Sequence, residues 1–81
     1  MIEVINTEIN KIENFIKNNI NKTNKDSTNY RRLVKYAYHI EKIKNDFNEL
    51  KNNKYDKNIE KLIINNIKNL REIIIQNHKN K

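Results

Sequence analysis

The densest gathering of side chains able to do chemistry opens the segment Tyr30 to Leu50. Arg31, Lys35, Tyr38 and Lys42 stand at i, i+4, i+7 and i+11, which on a helix is one continuous ridge, with Arg32 and His39 at its edge. Cations at this spacing follow a phosphate backbone, and the Tyr38 ring offers a surface on which a base stacks. Lys22 and Lys25, just upstream, add to the same charge. Asp46 and Glu49 follow on that face and repel phosphate, so the footprint ends after about three turns. A plainer reading is a solvated face, with Lys42 and Asp46 forming an ordinary i, i+4 pair and Tyr38 lying on its neighbours.

Other chemistry finds little support. There is no cysteine, which removes disulfides, thiolate metal sites and a cysteine nucleophile. There is no glycine or proline, and phosphate-cradling loops and strained nucleophile elbows normally need glycine. The ten carboxylates are scattered among lysines. None lies in an apolar stretch that would raise its pKa, and no His, Asp and Glu set has metal-ligand spacing. The two histidines share one pattern: six residues separate Arg32 from His39 and Arg71 from His78. That spacing resembles the arginine-x(4–6)-histidine signature of HEPN-type ribonucleases, which are all-helical. The resemblance implies an RNA-cleaving groove between subunits with these pairs in it. Members of either pair lie on one helix face but two turns apart, about 10 Å. His39 reads as a surface residue and His78 as part of a fraying terminus. The expectation is a protein that is not an enzyme and takes no cofactor or metal.

Helices must position these residues. Ile2, Ile5, Ile9, Ile12, Ile16 and Ile20 recur at steps of three and four, a stripe about 80° wide that predicts a first helix over 2–21. Isoleucine suits strands by composition, but a strand needs a period of two, which is missing. Residues 22–28, KTNKDST, contain no apolar member and form a connection, with Asp26, Ser27 or Thr28 capping the next helix. Tyr36, Ile40, Ile43, Phe47 and Leu50 define the face of a second helix over 28–52. The segment NNKYD makes the second connection and Asp56 caps a third helix over 57–78. That helix is apolar over about 140°, through Ile59, Leu62, Ile63, Ile67, Leu70, Ile73 and Ile74.

Two pairs lie off these stripes. Val4 and Phe15 are eleven residues apart on the first helix, as are Ile64 and Ile75 on the third. They either fill the second contact that each helix of a three-helix bundle must make, or form an exposed apolar patch for self-association or a partner. Asn66, near the middle of the third apolar arc, is a position where a polar residue can set register. Asn19 reads as drift at a tolerant helix end.

The 81 residues therefore predict one all-α domain over 1–81, an antiparallel three-helix bundle with coiled-coil-like packing. Its longest apolar runs are three residues, against about 20 for a membrane span. The N-terminus also lacks a signal peptide's pattern, so a cytoplasmic location is expected. A charge of +7 and a pI near 9.7 favour anionic partners, but the chain is crowded with Ile, Asn and Lys, whose codons are rich in A and T. A low-GC genome supplies such lysine, and the 18 asparagines, without selection for a partner. The leading functional expectation is a small regulator, adaptor or inhibitor, of the kind phages and plasmids encode. It would bind a protein partner through a helix face containing Val4, Phe15, Ile64 and Ile75. The alternative is a nucleic-acid-binding module using Arg31, Arg32, Lys35, Tyr38 and Lys42.

Overall fold

The computed structural model describes residues 2–52 and 55–79. Three helices, α1 (Ile2–Ile20), α2 (Thr28–Asn52) and α3 (Lys57–Lys79), form an antiparallel three-helix bundle, within a residue of the predicted bounds. Residues 53 and 54 of the expected second connection lie outside the described residues.

Each helix starts and stops for local reasons. Ser27 caps α2: its Oγ accepts from the Tyr30 amide at 3.1 Å and donates to the Asn24 carbonyl at 2.6 Å. Asp56 caps α3, its carboxylate accepting from the Asn58 amide at 2.8 Å. The end of α1 is closed without glycine. The Lys22 and Thr23 amides bond to the Asn19 and Ile20 carbonyls, and the Thr23 hydroxyl donates to Asn19. No described residue has positive φ, so the described turns are made without the left-handed caps that would call for glycine.

The core is one cluster drawn from all three helices: Ile5, Ile9, Ile12 and Ile16 of α1; Leu33, Tyr36, Ile40, Ile43, Phe47 and Leu50 of α2; Ile63, Ile67 and Leu70 of α3. Steps of three and four along each line give the coiled-coil-like packing. The Lys44 ammonium ties α2 to α1 through Glu13 at 2.9 Å.

On α3 the buried line departs from expectation. It runs Glu60, Ile63, Ile67 and Leu70, with Ile74 packed beside it, while Ile59, Leu62 and Ile73 are exposed. At 100° per residue this line is turned by about 45° from the centre of the predicted arc. The direction in which a helix faces inward is set by where its two neighbours stand, and α1 draws in the Ile64 side. Glu60, one of the carboxylates scattered among lysines in the sequence, is 5 % exposed as a result, and its Oε2 has no hydrogen-bond partner among the described residues. Asn66 is half-buried at the edge of this line, and Asn19 is half-buried with its amide donating to the Phe15 carbonyl at 2.7 Å. No helix among the described residues is long and apolar enough to cross a membrane.

Candidate interaction surfaces

α1 and α3 run parallel and in register: Glu8 meets Arg71, and seven residues further along each helix Phe15 meets His78. Each helix turns a flank toward the groove between them. The α1 flank carries Val4, Glu8, Lys11 and Phe15, and the α3 flank Ile64, Lys68, Arg71 and Ile75. Both sets step by four, three and four, so each helix keeps one continuous flank along the groove, the α3 set displaced by three residues from the α1 set in this register.

This groove holds all four residues singled out as a protein interface, in two different situations. Phe15 and Ile64 are half-buried and pack against the core, as the second contact of a bundle requires. Val4 and Ile75 are 58 % and 55 % exposed above them. Two adjoining hollows result. One is bounded by Val4, Ile64 and Lys68, the other by Lys11, Phe15, Ile74 and Ile75, and Glu8 and Arg71 border both. Arg71 Nη1 lies 3.6 Å from Glu8, and Lys11 Nζ approaches Glu8 at 3.5 Å, so one carboxylate serves two cations.

The far end of the groove is closed by α3. The His78 ring packs edge-on against Phe15 and Tyr36, at centroid separations of 5.7 and 6.1 Å. Asn77 donates to the Tyr36 hydroxyl at 2.8 Å, and its carbonyl accepts from Arg32 at 3.4 Å. His78 is therefore half-buried rather than part of a frayed end, because two rings and a hydrogen-bonded neighbour hold the last turn.

The ridge on α2 lies on the opposite side of the helix from the core. Arg31, Lys35, Tyr38, His39 and Lys42 are all exposed, Tyr38 at 76 %, so its ring does not lie on its neighbours. Arg32 is half-buried and directed to α3. No ion pair joins Lys42 and Asp46 among the described residues. Neither arginine–histidine pair is assembled: Arg32 and His39 part to a half-buried and an exposed position, while Arg71 bonds to Glu8 and His78 packs on rings. Among the described residues no three His, Cys, Asp or Glu side chains converge to hold a metal ion.

Sequence reasoning found the apolar members of the groove but not the polar ones. Glu8, Lys11, Lys68 and Arg71 read as solvated surface when each helix is taken alone. The signal was their spacing relative to Val4, Phe15, Ile64 and Ile75. Compared with known proteins, the chain matches no family model, no curated protein and no solved structure. The function is therefore argued from these surfaces.

Proposed function

We propose that this bundle is a non-enzymatic regulator or adaptor that binds a protein partner along the groove between α1 and α3. One observation carries the reading: Val4 and Ile75 stand exposed over half-buried Phe15 and Ile64. The groove thus offers apolar surface to a partner, on a floor already held by the core. Val4→Lys/Ile75→Lys is the informative variant, because both side chains face solvent and the bundle keeps its helicity without them. The same change at Phe15 and Ile64 would unfold it. In an extract of the source cells, the wild-type chain retains a specific partner and the variant loses it. Equal retention by both, or none by either, overturns the reading.

A second reading has its own observation, the 76 % exposure of Tyr38 between exposed Arg31, Lys35 and Lys42. A nucleic-acid interface there binds a short RNA or DNA with an affinity that falls steeply between about 50 and 200 mM salt. Arg31→Glu/Lys35→Glu abolishes that binding at unchanged helicity. Binding insensitive to this change removes the ridge from consideration.

A further inference from the structure

The groove's charge identifies what fits it. Along the α3 flank Lys57, Lys61, Ile64, Lys68, Arg71 and Ile75 follow one another at steps of four and three, and every one of the four cations is exposed. Lys11 faces them from α1. Of these cations Lys11, Lys68 and Arg71 line the two hollows, against one carboxylate there, Glu8, which Lys11 and Arg71 share. The apolar hollows therefore sit inside a rim of net positive charge, with Lys57 and Lys61 continuing it along α3.

We infer that the groove receives an acidic amphipathic helix of a protein partner, laid between α1 and α3 as a fourth helix. The inference rests on the protein-binding reading above and names the partner's chemistry. Val4 and Phe15, and Ile64 and Ile75, are each eleven residues apart, about 16 Å along a helix. An incoming helix places apolar side chains at i and i+11 in the two hollows, spans the Glu8–Arg71 pair with small residues, and sets carboxylates on its flanks toward Lys11 and Lys68. A second copy does not suit this site. An isologous dimer would set the same cationic flank against itself, with a charge of +7 on each chain. A nucleic acid would meet the rim but leave the apolar floor of Phe15, Ile64 and Ile74 unused.

The test uses a helix-favouring peptide of about 18 residues with Leu at two positions eleven apart, Ala between them on the same face and Glu on both flanks. Its control has Lys in place of Glu. Affinity is read by fluorescence anisotropy and location by amide shifts of the labelled protein. The Glu peptide binds at least tenfold more tightly than the Lys peptide and shifts the amides of Val4, Ile64 and Ile75. Lys11→Glu/Lys68→Glu weakens it at least tenfold, whereas Arg31→Glu/Lys35→Glu, the same change in net charge on α2, alters it less than twofold. Equal loss from both charge reversals would mean that net charge alone draws the peptide, and would overturn the inference. So would shifts confined to α2, or a short RNA that perturbs the groove amides more than the peptide does. If the peptide fails while the extract partner is still lost on Val4→Lys/Ile75→Lys, the acidic helix is wrong and protein binding by the groove stands. If both fail, the groove is not a binding site.

Discussion

At the scale of single residues, the pair Lys44 and Glu13 is the one cross-helix ion pair at hydrogen-bond distance among the described residues. The bond to Glu13, and then its negative charge, raise the Lys44 pKa above the ordinary 10.5, against a smaller opposing effect of burial. A pKa raised by folding stabilises the fold throughout the range below the unfolded value, and this contribution disappears as pH rises through the folded value. Glu13→Gln therefore lowers stability by about 0.5–1 kcal/mol at neutral pH, the range for a partly exposed pair. The gap between variant and parent in urea unfolding begins to close as pH passes 10.5 and is gone above the higher folded value. A gap that persists at the highest pH would assign the loss to packing. Glu60 shows what residue-level reading misses. Its type says solvent, yet its place three residues before Ile63 and seven before Ile67 puts it in the core line, where hydrogen bonding to it pushes the Tyr55 hydroxyl's pKa up. Position on the helix outweighs side-chain preference, and position is known only once the inward direction is fixed.

At the scale of elements, the three helices and the caps on α2 and α3 were legible because period and capping chemistry are local properties. The facing of α1 and α2 was equally legible, since each carries one narrow stripe and only one way to bury it. α3 carries isoleucine or leucine on more than half its circumference, so hydrophobicity alone does not say which part turns inward. The structure separates neighbours that the sequence joins: Ile63 is 1 % exposed and Leu62 55 %. Ile63→Ala opens a cavity in a close-packed core and costs about 2–5 kcal/mol, while Leu62→Ala removes a side chain mostly in water and costs less than about 0.5 kcal/mol. Urea midpoints of the two variants decide between the facings, and comparable losses at both positions would restore the predicted arc, which holds them both. The groove was half legible for the same reason. Its apolar pairs stand out within each helix, but its charges gain meaning only from the parallel register that brings Glu8 to Arg71.

At the scale of the whole molecule, shape and charge act together. The bundle measures 43 × 21 × 16 Å, with a radius of gyration of 13.7 Å, against about 12 Å for a compact chain of this length. A rod of this kind gains long surface grooves and gives up buried area, so its margin of stability is small. It also carries 17 cations against ten carboxylates, with three ion pairs among the described residues. Repulsion among the remaining cations opposes the compact state, and salt screens it over about 10 Å at 0.1 M. Raising sodium chloride from about 20 to 500 mM therefore raises the melting temperature by about 2–5 °C, since about 1 kcal/mol moves a domain of this size by 4–8 °C. A fall would mean that the three pairs outweigh the repulsion. An acidic helix seated beside Lys11, Lys68 and Arg71 relieves part of the same repulsion. Peptide and salt should therefore substitute for one another, with the Glu peptide stabilising the bundle more at low salt than at high.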